Sequence, residues 1–137
     1  MSDCIFCKIA NGEIPTNSVY EDADFRVILD ANPANPGHCL VLPKKHGKDI
    51  FELDIDTVAK AHAVAKRTAE AVKKAMNADG VNILQNNGEA AWQSVSHYHI
   101  HVIPRHKGDW PSFPGHTSNV TDDEQKEICA KIAKEVK

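Results

Sequence analysis

Three histidines alternate with two other residues in the segment His97-Tyr98-His99-Ile100-His101. In an extended strand, residues i, i+2 and i+4 point to the same face, so this spacing predicts imidazoles about 7 Å apart along one wall. Near neutral pH an imidazole can act as a nucleophile, accept a proton or bind a metal. The segment therefore predicts a row of phosphate contacts, with a metal site as the main alternative.

His99 is the candidate nucleophile within this row. A histidine attacks phosphorus well when its ring is neutral, an acceptor fixes its tautomer and neighbours stabilise the phosphoryl charge. His99 is flanked on the same face by His97 and His101, which can orient or stabilise what it binds. His38 adds a fourth imidazole if its strand lies alongside, although a single histidine is more often an ordinary strand-end residue.

Cys4 and Cys7 are separated by two residues, a spacing that lets two thiolates bind one tetrahedral zinc. Such a site needs two further ligands, and His46 and His97 are the candidates. A thioredoxin-like redox pair is less favoured, because that motif follows a strand and opens a helix in a βαβ unit. Two unligated cysteines are the remaining alternative.

Apolar periodicity and turn residues predict an antiparallel α+β sheet with one long helix and a carboxyl-terminal helix. Gly80 is expected to supply a left-handed cap after the long helix, and Thr121 with Glu124 forms a capping-box pattern. Residues 104–120 contain many breakers and are expected to form an ordered flap or a partner contact. The predicted strands are residues 18–21, 25–29, 38–42, 81–85 and 94–103, and the predicted helices are residues 54–76 and 121–136.

The length of 137 residues fits one domain spanning residues 1–137. A formal net charge of −3 argues against a binder of nucleic acid polymers, which would carry a basic excess on one face. The chain has no apolar run long enough to span a membrane, and its first residues lack a signal segment. Four cysteines are too few for a disulfide scaffold, so we expect thiols and a cytoplasmic location.

These residues resemble the histidine triad (HIT) family, whose signature is His-x-His-x-His followed by two apolar residues. Residues 97–103 match that signature, and the resemblance covers about residues 4–107. Residues 108–137 match no recognised motif and are expected to be a flap and the carboxyl-terminal helix. Further segments look like the Hint-type branch of the family: Cys4–Ile9, Pro36-Gly37-His38, Pro43–His46, Asn86-x-Gly88 and Gln93–Val95.

The resemblance implies that His99 attacks the α-phosphorus of a purine nucleoside phosphoramidate or a related nucleotide conjugate. Water would then cleave the nucleotidyl-histidine intermediate. By the same resemblance, His101 and His38 hold the phosphate oxygens and Asp30 takes the ribose hydroxyls. The residues expected to contact the phosphate or the leaving group are Asn86, Gln93 and Ser94.

The resemblance also implies a HIT-like fold with a five-stranded antiparallel sheet and a homodimer whose sheet continues across the interface. It implies a structural zinc and no organic cofactor. The zinc ligands would be Cys4, Cys7, His46 and His97.

Trp92 departs from the family pattern, which usually has glycine immediately before the glutamine matched by Gln93. Glycine permits a positive φ and a close backbone approach. One interpretation is that the loop takes another path. The other is that the position never needs a positive φ, so that the indole partly covers the pocket.

Two other functions fit the same residues. A metallohydrolase would use His97, His99 and His101 to bind a catalytic metal, although side chains about 7 Å apart must converge sharply on one ion. A nucleotide-binding interaction module would retain the pocket with vestigial catalysis, an alternative that Trp92 keeps open.

Overall fold

The structure is a computed structural model that describes residues 3–109 and 119–136. Among these residues, the strands are β1 (Ser18–Glu21), β2 (Phe25–Leu29), β3 (Cys39–Pro43), β4 (Gly80–Leu84) and β5 (Ile100–Arg105), and the α-helices are α1 (Ile5–Ala10), α2 (Ile55–Ala75) and α3 (Asp122–Glu135). The five strands form one antiparallel sheet in the order β1-β2-β3-β5-β4. The sheet and its helices confirm the predicted α+β fold with a five-stranded antiparallel sheet.

Short polar turns explain why the first strands return antiparallel. Asp22 closes the β1–β2 turn, because its Oδ1 accepts hydrogen bonds from the backbone N–H of Asp24 and of Phe25, each at 2.8 Å. An Asp side chain that binds backbone N–H groups in this way is a common turn former. Strand β2 then pairs with β3 from Phe25↔Pro43 to Leu29↔Cys39, which places both strands beneath the helices.

The two faces of the sheet carry different side chains, as expected from the alternation of residues along a strand. One face forms the large apolar core against α2 and α3. The opposite face carries Ile28, Leu40 and His101, which are cross-strand neighbours in register. Helix α1 packs on this second face through Phe6 and Ile9. The candidate site is therefore built on the side of the sheet away from the main core.

The long helix agrees with the sequence prediction to within its cap residues. Asp54 is the N-cap and accepts from the N–H of Thr57, and the helix ends at Ala75. The prediction of a left-handed cap at Gly80 was wrong. Asn77 takes the positive φ of 50°, as asparagine does more readily than most residues, and Gly80 already begins β4.

The histidine-bearing strand is shorter than predicted at its start. Strand β5 begins at Ile100 rather than Ser94, because the preceding segment leaves the ladder. There the N–H of His97 donates to the carbonyl of Val95 at 2.9 Å, and the N–H of Tyr98 donates to Gly47 at 2.8 Å. His97 and His99 therefore lie in an irregular approach to the strand, and only His101 lies within it.

Several smaller differences complete the comparison with the sequence. Helix α1 was not predicted, because six residues are too few for a clear periodicity. The capping box of Thr121 and Glu124 is present as predicted. Of the predicted flap, residues 104 and 105 belong to β5 and residues 110–118 lie outside the described part of the chain. None of the described helices is long and apolar enough to cross a membrane.

Candidate active site and metal centre

A cluster of two thiols and two imidazoles lies at the amino end of α1. The Nδ1 atom of His97 lies 3.4 Å from the Sγ of Cys4, 3.4 Å from the Sγ of Cys7 and 3.2 Å from the Nδ1 of His46. All four candidate ligand atoms lie within 4.8 Å of one another. The structure thus brings together the four residues that the resemblance implied, and this cluster could hold a metal ion.

The spacing of these atoms matches a tetrahedral ligand set. Two donors bound to one zinc at about 2.0–2.3 Å are separated by roughly 3.3–3.8 Å. Four of the separations in the cluster are 3.2–3.4 Å, close to that range. Burial lowers the pKa of His97 to about 4 and raises the pKa of the Cys7 thiol to about 11. The ring is therefore neutral and able to ligate, whereas the thiol would release a proton on binding a metal.

His97 connects this cluster to the rest of the site. Its Nε2–H donates to the carbonyl of Pro43 at 2.8 Å, which leaves the Nδ1 lone pair directed at the cluster. A ligating histidine commonly has its other nitrogen held by such an acceptor. The carbonyl of His97 in turn accepts a hydrogen bond from the Nδ1 of His99 at 2.7 Å.

This contact fixes the tautomer of His99. A carbonyl oxygen can only accept, so the proton of His99 is on Nδ1 and the lone pair is on Nε2. Burial lowers the pKa of His99 below its usual value, although the bond to His97 opposes the shift. His99 is therefore neutral near pH 7, with one nitrogen free to attack. These are the properties required of the predicted nucleophile.

His38 and His101 form a hydrogen-bonded pair next to His99. The Nε2 of His38 lies 2.9 Å from the Nδ1 of His101, and the ring centroids of His99 and His101 are 4.9 Å apart. The N–H of Ala34 donates to the Nδ1 of His38 at 2.9 Å, so the proton of neutral His38 must be on Nε2. The Nδ1 of His101 accepts a hydrogen bond from this Nε2–H, so neutral His101 carries its own proton on Nε2.

A cavity of about 310 Å³ opens beside these rings, and small-ligand pockets range over roughly 300–1,000 Å³. Asp30, Ser94, His99 and His101, for which the resemblance implied catalytic or substrate-contacting roles, are among the residues that line it. His38 is not among the described residues that line the cavity, and it reaches the site through its contact with His101. Most of the described apolar lining, which the sequence reasoning missed, comes from α1 and the sheet: Ile5, Phe6, Ile9, Ile28, Leu29 and Leu40.

The carboxylate of Asp30 lies next to the His38–His101 pair. Its Oδ2 is 3.5 Å from the Nε2 of His38, and its Oδ1 accepts from the N–H of Asn32 at 2.8 Å. Burial raises the pKa of this carboxyl, and the Asn32 bond opposes the shift. Asp30 is therefore an acceptor held by its own loop.

Gln93 and Asn86 are not among the described residues that line the cavity. Gln93 instead braces its loop, because its Oε1 accepts from Gly88 at 2.7 Å and its Nε2 donates to Lys48 at 2.6 Å and Val95 at 3.0 Å. These contacts join the loop after β3 to the loop that precedes β5. The side-chain amide of Gln93 is therefore occupied by these three hydrogen bonds, which hold the backbone next to Ser94 in place.

Trp92 adopts a left-handed conformation with φ of 70°, and its side chain is 60% exposed. The interpretation that this position needs no positive φ was therefore wrong. The indole is also not among the described residues lining the cavity. A bulky residue pays a cost of about 1–2 kcal/mol in this backbone region, so the loop keeps the path that a glycine would favour despite the substitution.

Because of that strain, the free energy of unfolding of Trp92→Gly is expected to be about 1 kcal/mol higher than that of Trp92→Ala. Both variants lose the same indole, so their difference isolates the cost of a Cβ atom at positive φ. Urea unfolding of the two variants measures it. Equal stabilities, or a more stable alanine variant, would show that the backbone strain is absent in solution.

The buried imidazole pair predicts a loss of stability in acid. Burial lowers the pKa of His38 to about 3 and of His101 to about 4, whereas the ordinary value is 6.5. Below pH 6.5 the unfolded chain binds protons that the folded chain does not. The contribution of these two histidines to the free energy of unfolding should therefore be complete above pH 6.5 and fall from there toward pH 4. Each histidine contributes a slope of up to about 1.4 kcal/mol per pH unit.

Urea titrations across this range test the effect, with a His38→Gln, His101→Gln double variant as the comparison. The wild-type curve should fall more steeply than that of the double variant below pH 6.5, because glutamine does not titrate. Parallel curves would contradict the assignment of the acid sensitivity to these two rings.

Comparison with known proteins gives a consistent result. A model of the HIT domain matches residues 11–108. An uncharacterized HIT-like protein of Methanocaldococcus jannaschii is 48% identical over 88% of this chain and 94% of its own length. The adenosine 5'-monophosphoramidase of Schizosaccharomyces pombe is 36% identical over 98% of both chains. A zinc-bound histidine triad protein of Mycobacterium smegmatis superposes with a TM-score of 0.85 and is 40% identical over 97% of this chain and 95% of that one.

Proposed function

The chain belongs to the HIT family, and we propose that it hydrolyses purine nucleoside phosphoramidates or related nucleotide conjugates through a covalent intermediate on His99. The observation that carries this proposal is the bond from the Nδ1–H of His99 to the carbonyl of His97, at 2.7 Å. It leaves Nε2 as the only unprotonated nitrogen of a neutral ring that lines the cavity. The phosphoramidase relative in S. pombe supports the substrate class.

The proposed first step forms a bond between the Nε2 of His99 and the α-phosphorus and breaks the bond from phosphorus to the leaving amine. The amine keeps the electron pair of the broken bond and takes a proton from water. As Nε2 becomes bonded, the ring acquires positive charge, and the carbonyl of His97 stabilises it through the Nδ1–H. The Nε2–H of His101 is a donor for a phosphoryl oxygen, and His38 holds His101 in that tautomer.

The second step returns the enzyme to its starting state. Water attacks the phosphorus and the bond to the Nε2 of His99 breaks, so that the ring recovers its lone pair and the nucleoside monophosphate is released. The attacking water gives up a proton to the solvent, which balances the proton that the leaving amine took in the first step. The carbonyl of His97 keeps the Nδ1 proton in place through both steps. A fixed tautomer is useful here because the same nitrogen must attack first and leave later.

The lining of the cavity combines polar and apolar side chains. Ser94, His99 and His101 would contact the phosphate, and Asp30 would supply a carboxylate for the ribose hydroxyls. Phe6 and the neighbouring aliphatic side chains of α1 and the sheet form a surface for the base. We therefore place the nucleoside along α1, with its phosphate toward β5.

We also propose that the cysteine–histidine cluster holds a structural zinc. The ligand spacing fits a tetrahedral ion, and the M. smegmatis neighbour is a zinc-bound protein. A bound zinc would cross-link α1, the loop after β3 and the segment before β5 through Cys4, Cys7, His46 and His97. The four free thiols suit a reducing compartment, and a cytoplasmic location is part of this proposal.

The proposed homodimer would form through β4, which is an edge strand of the sheet. Its residues are less buried than those of the central strands, and Ile83 is 45% exposed. Unpaired edge strands of this kind readily accept another strand. We expect the wild-type protein to sediment as a dimer and Ile83→Lys to sediment as a monomer. Ile55→Lys, at an isoleucine 85% exposed on α2, is the control and should stay dimeric.

The metallohydrolase alternative is disfavoured by the way the histidine row divides. The Nδ1 of His97 faces the cysteines, whereas the Nδ1 of His99 is committed to a carbonyl. A single ion bound by His97, His99 and His101 would require the Nδ1 of His97 to leave the cysteines, because its Nε2–H donates to Pro43. The binding-module alternative makes a different prediction, namely nucleotide binding without turnover.

Steady-state release of AMP from adenosine 5'-phosphoramidate tests the proposed function. The same assay on a series of AMP conjugates, whose leaving groups differ in size and basicity, tests the proposed substrate class. Turnover that depends on the leaving group supports the phosphoramidase proposal. Tight AMP binding by folded protein, with no release from any conjugate, would replace it with the binding module.

A further inference from the structure

Asn35 is not among the described residues that line the cavity, yet its side chain joins two segments that are far apart in the sequence. The Nδ2 of Asn35 donates to the carbonyl of Pro104 at 2.9 Å and to the Oδ2 of Asp109 at 2.8 Å. The same Asp109 oxygen accepts from the N–H of His106 at 2.8 Å. Asn35 thus ties the turn before β3 to the end of β5 and the turn that follows it.

The turn held by Asn35 is the one that contacts His38. The carbonyl of Asn35 accepts from the N–H of His38 at 3.1 Å, and the neighbouring N–H of Ala34 donates to the Nδ1 of His38 at 2.9 Å. Gly37 completes the turn with φ of 94°, where a Cβ atom would lie 2.7 Å from Met76 Cγ. The backbone donor therefore meets the ring only while this turn keeps its path.

We propose that Asn35 is a positioning residue that fixes the tautomers of His38 and His101 by holding the Ala34 N–H against His38. The Ala34 donor requires a lone pair on the Nδ1 of His38 and so places the proton on Nε2. That proton has two acceptors, the Nδ1 of His101 at 2.9 Å and the Oδ2 of Asp30 at 3.5 Å. The proton of His101 is then on Nε2.

The opposite tautomer of His38, with the proton on Nδ1, is disfavoured by these contacts. A proton on Nδ1 would face the Ala34 N–H, donor against donor, and the Nε2 lone pair would face the carboxylate of Asp30. A buried donor left without an acceptor loses its solvation with no compensating hydrogen bond. The low pKa values of both rings agree with neutral imidazoles at pH 7. A neutral imidazole can carry its proton on either nitrogen, so the surroundings decide between two tautomers.

The consequence for catalysis rests on the proposed function. A His101 with its proton on Nδ1 would present a lone pair to a phosphoryl oxygen, where the proposed mechanism needs a donor. Release of the turn should therefore lower kcat by about 10-fold and leave the KM within about 3-fold, because most of the binding surface is formed elsewhere. A role confined to folding would lower thermal stability without this division between kcat and KM.

Nitrogen-detected NMR of protein labelled with ¹⁵N at histidine tests the tautomers without any substrate. The two ring nitrogens of neutral histidine give distinct shifts according to which one carries the proton. In the wild type we expect a protonated Nε2 on both His38 and His101, and in Asn35→Ala we expect averaged shifts for His38. Opposite tautomers in the wild type, or unchanged single tautomers in Asn35→Ala, would overturn the proposal.

A charge swap provides the matched control. Asn35→Asp sets two carboxylates against each other at a 2.8 Å contact and should disturb the tautomers at least as much as Asn35→Ala. Adding Asp109→Asn restores a donor and an acceptor to that contact, and we expect part of the tautomer preference and of kcat to return. The absence of any rescue in a folded double variant would contradict positioning through this contact.

These readouts also separate this proposal from the proposed function. If the wild type turns over no conjugate, the phosphoramidase proposal fails, and the NMR result still decides the role of Asn35. If turnover is normal and the tautomers of Asn35→Ala are unchanged, the positioning role fails and the phosphoramidase proposal stands.

Discussion

Replacing His99 with alanine is expected to lower kcat for adenosine 5'-phosphoramidate by about 10⁴-fold, the scale seen when a covalent nucleophile is removed. The affinity for AMP should change by less than about 3-fold, since the apolar wall, Asp30 and Ser94 remain. The reason is that His99 supplies the only proposed bond to phosphorus. Water attacking directly is a weaker nucleophile than the Nε2 of a neutral imidazole, and it would lack the orientation that the Nδ1–H contact to His97 gives that ring.

His62→Ala is the matched control for this variant. His62 is exposed on α2 and contacts only its own helix among the partners that the structure gives it, so its removal should leave kcat and AMP affinity unchanged. Isothermal titration with AMP and circular dichroism establish that both variants fold and bind. A His99→Ala protein that keeps more than about one tenth of the wild-type kcat would rule out the covalent role.

Removal of one cysteine ligand is expected to have the second large effect. Cys4→Ser or Cys7→Ser should lose the zinc and lower the melting temperature by on the order of 10 °C, a few kcal/mol for a domain of this size. Helix α1 has six residues, which is too short to be stable alone, and its apolar packing on the sheet comes from a small cluster. The metal would therefore supply much of its anchoring.

The same variants should bind AMP about 10-fold more weakly, an expectation based on the helix they release. Ile5, Phe6 and Ile9 of α1 form one wall of the cavity, and a displaced wall reduces the apolar area that the base can bury. Metal analysis, thermal unfolding and AMP titration measure the three effects. Cys129→Ser, at a thiol outside the cluster, should change none of them. Full zinc content in Cys4→Ser would contradict the proposed ligand set.

Strong local patterns made much of the fold predictable from the sequence. The hairpin of β1 and β2 and the helix α2 follow from alternation and 3.6-residue periodicity, and their bounds agree with the structure to within one residue. Helix α1 was missed because a six-residue helix shows no period. The strand before Ile100 was overextended because the sequence cannot show that Gly47 captures the N–H of Tyr98, a contact between segments 51 residues apart.

The candidate site divides in the same way. The alternating histidines and the cysteine spacing pointed to chemistry, and the resemblance supplied the pairing of Cys4 and Cys7 with His46 and His97. The role of each nitrogen was not readable, because a tautomer depends on which backbone group faces the ring. The contact of Ala34 with His38 and the bracing by Gln93 exist only in the folded chain. The positive φ of Trp92 likewise has no signal in the sequence other than the glycine usual in the family.

The central claim is a covalent bond between His99 and a nucleotide, and intact-mass analysis of early reaction samples tests it most directly. The zinc-loaded protein is mixed with adenosine 5'-phosphoramidate, denatured at neutral pH within the first turnovers and digested to locate the modified residue. The proposal predicts an adenylyl mass on the peptide that carries His99, absent from His99→Ala. Rapid AMP release with no adduct at any time, or an adduct that persists in His99→Ala, would contradict it.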